Sequence, residues 1–231
     1  MFDYYDDKLS AKKLKHAYEL APPRTHQYLR AEVEHVLSCI HPGDMVLELG
    51  CGYGRILPDL AGKTGLVLGI DTSIGSLLLA REMLSGLTNY LLANIDAVQL
   101  SFPDHTFDCV VCIQNGISAF HVDQGALITE AVRVVKPGGT VLFSSYSDKF
   151  WKHRLEWIEL QAREGLLGEI DYERTGEGLI VCKDGFTGTT VSPQRFLKLS
   201  EGLDADVRIV EVDESSIFCE ITRTIHKENT V

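Results

Sequence analysis

The stretch Met45-Val-Leu-Glu-Leu-Gly-Cys-Gly-Tyr-Gly-Arg55 decides the fold of this chain. It begins with an apolar run of the length of a buried strand, interrupted only by Glu48. Three glycines follow at alternate positions, Gly50, Gly52 and Gly54. This order predicts a strand, a tight turn and the start of a helix. Because a backbone without Cβ atoms can lie directly against a ligand, and the first N–H groups of the helix point into the turn, the stretch predicts a ligand-binding loop.

Two kinds of ligand fit such a loop. A dinucleotide-binding turn has the spacing G-x-G-x-x-G and holds a pyrophosphate, whereas this chain has G-x-G-x-G preceded by Glu48. A carboxylate at that position would repel a pyrophosphate and attract a ligand with a cationic amine. With an acid before G-x-G-x-G, the stretch closely resembles motif I of the class I S-adenosylmethionine-dependent methyltransferases. The resemblance implies S-adenosylmethionine as cofactor, bound by Glu48, Gly50, Cys51, Gly52 and Gly54.

Charge and composition narrow the possible partners. The 231 residues include 22 lysines and arginines against 33 aspartates and glutamates, a formal net charge of −11. A DNA-binding protein needs clustered basic residues to neutralise phosphates, so we expect no DNA partner. No apolar run reaches the length of a membrane span, and the first ten residues lack the apolar core of a secretory signal. We therefore expect no membrane partner and a cytoplasmic location.

A second apolar strand, predicted at residues 65–70, ends at Asp71. The interval from Gly50 to Asp71 has the length of one strand–helix–strand unit. A carboxylate at the tip of the second strand can accept hydrogen bonds from both vicinal hydroxyls of a ribose. Asp71 could also cap the helix predicted at residues 72–84, and the two roles are compatible. We expect Asp71 to bind the ribose, with Thr72 beside it in the cofactor site.

Further along the chain, several segments extend the resemblance. Asp96 and Ala97 follow a short third strand predicted at residues 90–93. The resemblance implies that Asp96 accepts a hydrogen bond from the adenine amino group and that the Ala97 N–H reaches a ring nitrogen. Residues 100–113 and the Lys136-Pro-Gly-Gly139 turn before an apolar strand also match the family. Gln114 leaves the carboxyl end of the fourth strand, the edge at which parallel sheets bind ligands, so we expect it in the cofactor site.

The order of elements predicts the fold class. Strands alternate with helices as far as Ser145, which is typical of a parallel sheet with helices on both faces. Ser192 and Pro193 then open a helix, and two strands predicted at residues 207–212 and 216–221 are joined too closely to be parallel. The prediction is an α/β fold with a seven-stranded, mostly parallel sheet and an antiparallel C-terminal hairpin, plus a small α+β insertion after strand 5.

The chain divides into four parts. Residues 1–44 form N-terminal helices that cap the cofactor site, residues 45–147 the S-adenosylmethionine-binding core, residues 148–191 an inserted lid or substrate region, and residues 192–231 the C-terminal helix and hairpin. Within the insertion, the sequence predicts a helix at residues 150–166 and strands at residues 169–174, 179–183 and 186–191. The resemblance implies that an insertion at this point covers the acceptor.

Five side chains outside the glycine turn are further candidates for the site. His121 follows the fourth strand and Tyr146 the fifth, so each could act as the base that removes a proton from the acceptor. Tyr18, Arg24 and Tyr28 of the leading helices are candidates to close over the cofactor, and the resemblance implies that a basic residue there, such as Arg24, can hold its carboxylate. For each of the two candidate bases a structural role remains an alternative.

The acceptor itself is constrained by what the sequence lacks. The fourth strand has no [DNS]-P-P-[YFW] motif of amino-methylating DNA enzymes, and no Pro-Cys pair could supply a cytosine-C5 nucleophile. We therefore expect methyl transfer to a small-molecule acceptor by in-line displacement. A protein or RNA methyltransferase, and a non-catalytic subunit that binds S-adenosylmethionine, remain alternatives.

Cysteines and histidines do not predict a metal. Cys109 and Cys112 match C-x-x-C, but positions three apart in a strand face opposite sides, about 10 Å apart, beyond the reach of a disulfide. The eight histidines show no recognised ligand spacing.

Replacing Asp71 tests the cofactor assignment. We expect Asp71→Ala to weaken binding of S-adenosylmethionine by about 1–3 kcal/mol, because buried hydroxyls would lose their acceptor. Isothermal calorimetry measures the change. An unchanged dissociation constant would contradict the role of Asp71.

Overall fold

The computed structural model describes Leu9 and residues 11–225. The strands are β1 (Met45–Leu49), β2 (Leu66–Asp71), β3 (Tyr90–Asn94), β4 (Phe107–Cys112), β5 (Val135–Tyr146), β6 (Ile180–Val181), β7 (Thr187–Gly188), β8 (Ala205–Val212) and β9 (Ser216–Arg223). The helices are α1 (Ala11–Glu19), α2 (Pro23–Cys39), α3 (Leu57–Ala61), α4 (Ile74–Met83), α5 (Gly116–Ala119), α6 (Gln124–Val134), α7 (Trp151–Arg163) and α8 (Pro193–Leu199). Among these described residues, no helix has the length and apolar character needed to cross a membrane.

Seven of the strands form one sheet in the order β3-β2-β1-β4-β5-β9-β8. The strands β1 to β5 run parallel, and β9 lies antiparallel between β5 and β8. Helices cover both faces, because one core cluster contains residues of α6 and α8 and the other contains residues of α2, α3 and α4. The predicted fold class is therefore confirmed, including the antiparallel C-terminal hairpin.

The two cysteines of β4 show why the sheet needs apolar residues on both faces. Cys109 packs in the cluster with α2 and α3, whereas Cys112 packs in the cluster with α6. Both are buried and free. Strands covered on both sides read as continuous apolar runs, and the predicted separation of the two thiols is confirmed.

Two local predictions change in the structure. Ser73 rather than Asp71 caps α4, since its side chain accepts from the Ser76 N–H. The predicted turn at Lys136-Pro-Gly-Gly139 lies within β5 as an irregular start, where the register against β4 shifts between Phe107 and Cys109. Gly138 has a φ of +79° there, a conformation that glycine adopts without steric cost.

The insertion contains less strand than predicted. Its helix α7 is present, and β6 and β7 pair across the turn that contains Asp184 and Gly185. The strand predicted at residues 169–174 is wrong, because only Ile170 makes an isolated bridge, to Cys182. Asp171 instead accepts from the Glu173 N–H through its side chain and from the Arg174 N–H through its carbonyl. Such local bonds compete with a strand ladder.

The insertion packs against α1. Trp157 of α7 donates from Nε1 to the Ala17 carbonyl of α1 at 2.8 Å. An apolar cluster also joins Leu9 and Ala17 to Ile158, Ile180 and other insertion residues. The N-terminal helix and the insertion are therefore one packed unit above the carboxyl edge of the sheet.

A buried acid on α2 connects this layer to the sheet. Glu32 is fully buried and accepts from the Gln114 N–H at 2.7 Å and from the Ser216 hydroxyl at 2.6 Å. Burial raises the pKa of its carboxyl to about 7, against the lowering effect of these hydrogen bonds. Glu32 thus links α2 to Gln114, just after β4, and to Ser216 at the start of β9.

The raised pKa of Glu32 predicts a pH dependence of stability. The unfolded chain ionises this group near pH 4.5, and the folded chain near pH 7, so wild-type stability falls as pH rises between those values. Relative to wild type, the free energy of unfolding of Glu32→Gln should increase by about 3 kcal/mol across this window. Urea unfolding at pH 4 and pH 8 measures the difference. Glu34→Gln, on the exposed side of α2, is the control; an equal change in both variants would refute the assignment.

Candidate functional site

A cavity of about 240 Å³ lies at the carboxyl edge of the sheet. Its walls come from the turn after β1, the ends of β2 and β4, the loop after β3, and Phe120 and Val122. Leu9 and two residues of α1, Leu14 and Tyr18, close it from the N-terminal side. Ligands of parallel α/β sheets bind at this edge.

The glycine turn forms the floor of the cavity. Gly50 and Gly52 line it, with φ angles of +71° and +54°. A Cβ atom on Gly50 would lie 2.3 Å from the Phe120 ring, so only glycine fits there. Gly54 does not line the cavity; a Cβ atom on it would lie 3.0 Å from Leu84 and 3.2 Å from Ala80. Gly54 therefore allows the turn to pack closely against α4. This differs from the prediction that Gly54 contacts the cofactor.

Asp71 ties the turn to the end of β2. Its Oδ2 accepts from the Gly52 N–H at 2.8 Å, and its Oδ1 accepts from the Ser73 N–H at 2.8 Å. Asp71 also lines the cavity. Asp71 therefore both shapes the turn and faces the ligand space, together with Thr72.

The loop after β3 supplies the wall predicted to hold the adenine. Asp96 and Ala97 both line the cavity. Asp96 uses Oδ1 to accept from the Val98 N–H at 3.0 Å. Ile95, Phe120 and Val122 add apolar surface beside it, which suits a flat base with one polar edge.

Glu48 and Arg55 supply polar groups to the wall of the cavity. Burial raises the pKa of Glu48 to about 8; Arg55 lowers it and Asp71 raises it. Glu48 Oε2 and Arg55 Nη2 are buried without a hydrogen-bond partner. The Arg55 guanidinium lies over the Tyr18 ring, 4.8 Å from its centroid. This wall is therefore built for polar groups of both signs.

Gln114 occupies the cavity at the end of β4 in a conformation held from several sides. Gln114 and Asn115 have φ angles of +57° and +62°, which is uncommon for two successive residues other than glycine. The Gln114 N–H donates to Glu32 and to the Ser144 hydroxyl, and its Oε1 accepts from the Tyr18 hydroxyl at 3.1 Å. Its Nε2 is buried without a partner.

The predicted roles of Arg24 and Tyr28 do not match the structure. Arg24 donates to Asp213, with Nη1 2.6 Å from Oδ2 and Nη2 2.7 Å from the carbonyl, and it does not line the cavity. Tyr28 is fully buried against Tyr146 and Phe150. Arg24 thus ties α2 to the turn between β8 and β9, Tyr28 packs in the core, and neither residue lines the cavity.

The two candidate bases also lie outside this cavity. His121 is exposed, with a φ of +53°. Tyr146 packs between Tyr28 and the Arg154 guanidinium, and burial raises the pKa of its hydroxyl. It lines a second cavity of about 400 Å³ with Ser147, Trp151 and Arg154, next to the insertion.

Several residues that line the cavity were not predicted, among them Arg55, Leu14 and Phe120. The adjacency of Arg55 to the last glycine was a usable signal, since a residue entering the first helix faces the turn. Leu14 and Phe120 have no local signal, because long-range packing brings them to the turn.

Comparisons with known proteins agree with this geometry. Residues 46–139 match the family model of the methyltransferase domain. The 2-methyl-6-phytyl-1,4-hydroquinone methyltransferase of Synechocystis sp. is 31% identical over 137 residues, 55% of this chain and 42% of that protein. The demethylmenaquinone methyltransferase of Bacillus licheniformis is 36% identical over 123 residues, 52% of this chain and 51% of that protein. The chain thus spans about half the length of these curated relatives or less.

A solved structure extends the agreement to the whole fold. A protein of Methanococcus maripaludis, described as a putative S-adenosyl-L-methionine-dependent methyltransferase, superposes with a TM-score of 0.65 at 17% identity. The match covers 96% of this chain and 97% of that one. Residues 46–139 therefore match the methyltransferase domain, and the chain as a whole has the fold of that solved structure.

Proposed function

We propose that this chain transfers a methyl group from S-adenosylmethionine to a small-molecule acceptor. One observation carries the proposal: Glu48 Oε2, Arg55 Nη2 and Gln114 Nε2 are buried without partners in residues that line one cavity. Each unsatisfied buried polar atom costs about 1–3 kcal/mol. A polar ligand that satisfies all three would recover that cost.

The lining residues fit S-adenosylmethionine from end to end. Glu48 would bind its ammonium group and Arg55 its carboxylate, while Asp71 would accept from the ribose hydroxyls. Asp96 and the Ala97 N–H would bind the adenine, which the apolar surface of Phe120 flanks. Glycines at positions 50 and 52 allow the backbone to approach this ligand closely.

The cofactor supplies an electrophilic methyl group on its sulfonium, so transfer requires no covalent bond to the protein. The chain's own contribution is alignment of the acceptor and exclusion of water. Leu14 and Tyr18 cover the cavity, and Tyr18 holds the Gln114 side chain through its hydroxyl. These contacts support a closed site in which the methyl group is shielded.

The second cavity supports a small, flat acceptor. It lies where β5 ends, beside the end of β4, and its walls include Tyr146 and Trp151. Arg154 in this wall donates to the carbonyls of Gly178 and Thr189, so its charge is already engaged. Asp148 and Glu177 also line the cavity and would repel an anion. We infer that an uncharged aromatic acceptor approaches from this side, with the insertion as its cover.

A transfer assay tests the proposed function. The purified chain is incubated with methyl-labelled S-adenosylmethionine and separate hydroquinone, phenol, amine and thiol acceptors, and mass spectrometry detects the products. We expect a methylated small molecule, with the hydroquinone the leading candidate. Gly50→Ala should lose turnover, because the added Cβ meets Phe120, whereas Gly86→Ala, which meets nothing within 4 Å, should retain it. Cofactor binding without transfer to any acceptor would favour a non-catalytic subunit.

Replacing Arg55 and Arg24 separately by alanine tests which arginine binds the carboxylate of the cofactor. Arg55→Ala should weaken binding of S-adenosylhomocysteine by about 1.5–3 kcal/mol, the usual contribution of a hydrogen bond to a charged group. Arg24→Ala should leave the affinity unchanged and lower the melting temperature, because it removes the two hydrogen bonds from Arg24 to Asp213. Calorimetry and thermal melts measure both. Weaker binding in Arg24→Ala with unchanged binding in Arg55→Ala would instead assign the carboxylate to Arg24.

A further inference from the structure

A second group of functional side chains lies between α2 and β9. His35, Cys39 and Glu220 each offer a possible ligand atom, and these atoms all lie within 4.8 Å of one another. None of the three residues lines the cofactor cavity or the second cavity. The methyltransferase chemistry therefore does not explain why they are together.

The fold pre-positions these three residues. His35 and Cys39 are four residues apart on α2, so they share one face of the helix. Glu220 extends from β9, a strand with neighbours on both sides. The side chains of His35 and Glu220 are only 17% and 8% exposed, and the His35 ring packs on Phe218 with centroids 4.3 Å apart. The group is therefore held by packing.

Both carboxylate oxygens of Glu220 have hydrogen-bond partners. Its Oε1 lies 2.8 Å from His35 Nε2, and its Oε2 accepts from the Arg208 guanidinium at 2.6 and 2.9 Å. This pairing accounts for His35 and Glu220. It does not account for Cys39, whose thiol lies on the same face of α2 one turn further on.

Imidazole nitrogen, thiolate sulfur and carboxylate oxygen together form a ligand set typical of Zn²⁺. Zinc bonds of about 2.0–2.3 Å require ligand atoms roughly 3.3–3.8 Å apart. The longest separation in the group must therefore shorten by about 1 Å, whereas His35 Nε2 and Glu220 Oε1, now 2.8 Å apart, must move slightly apart. The metal would take the place of the proton shared by His35 and Glu220 Oε1. Arg208 would stay on Oε2 as an outer partner that orients the carboxylate.

We propose that His35, Cys39 and Glu220 bind one Zn²⁺ ion, with water in the fourth position, and that the ion joins α2 to the C-terminal hairpin. When the metal binds, the Cys39 thiol and the His35–Glu220 pair each release one proton to solvent. Since the unfolded chain lacks the assembled site, binding stabilises the folded state. The site is independent of the proposed methyl transfer, because its ligands contact neither cavity.

Cobalt spectroscopy and thermal melts test this site in the full chain. Co²⁺ added to the purified, metal-free protein should give a thiolate-to-cobalt charge-transfer band in the near ultraviolet at one equivalent. Zn²⁺ should displace the cobalt and raise the melting temperature. Cys39→Ser should lose the band, and His35→Gln should weaken metal binding at least about tenfold, the lower end of losses seen when metal-site partners are removed.

Cys219→Ser is the matched control. Cys219 precedes Glu220 on β9, but it packs in the core cluster on the opposite face of the sheet, so its substitution should preserve the band. Two results would overturn the proposal: no charge-transfer band in the wild type, or a band that persists in Cys39→Ser because another thiol holds the metal.

Discussion

The hydrogen bond between the Gly52 N–H and the Asp71 carboxylate positions the rest of the site. It joins the turn after β1 to the tip of β2, so the adjacent parallel strands present their ends as one surface. Without a side chain on the turn, the backbone stays open to a ligand, and Asp71 is oriented by the same bond that shapes the turn. The remaining walls are arranged around this link, with Asp96 on one side and Glu48 on the other.

Burial of charge is the second constraint. Glu32 and Glu48 are both buried and have raised pKa values, but their surroundings differ. Glu32 is satisfied by donors from the loop after β4 and from β9, so it works as an internal fastener. Glu48 retains an oxygen without a partner. A buried polar atom without a hydrogen-bond partner lowers stability unless another interaction compensates. By this criterion Glu32 is a structural acid, whereas Glu48 offers an oxygen to the cavity.

Local patterns predicted much of this molecule. The alternation of strand and helix and the short β8–β9 connection were enough to predict the sheet, because each depends on neighbours in sequence. Asp71, Asp96 and Gln114 were located for the same reason: residues that follow parallel strands must meet at one edge. The predictions that were wrong depend on contacts that no sequence pattern reveals. Arg24 is drawn away by Asp213, which is remote in sequence, and no periodicity predicts such a partner. Residues 169–174 alternate like a strand, yet bonds to Asp171 bend them into turns.

The bond from Trp157 to the Ala17 carbonyl has a kinetic consequence. Helix α1, which closes the cavity at the carboxyl edge of the sheet, is anchored to the inserted segment, so it cannot swing outward alone. Departure of the spent cofactor would have to separate that indole from its acceptor and disturb the apolar cluster behind it. Exchange of a ligand in this cavity therefore depends on contacts that are remote from the cavity walls.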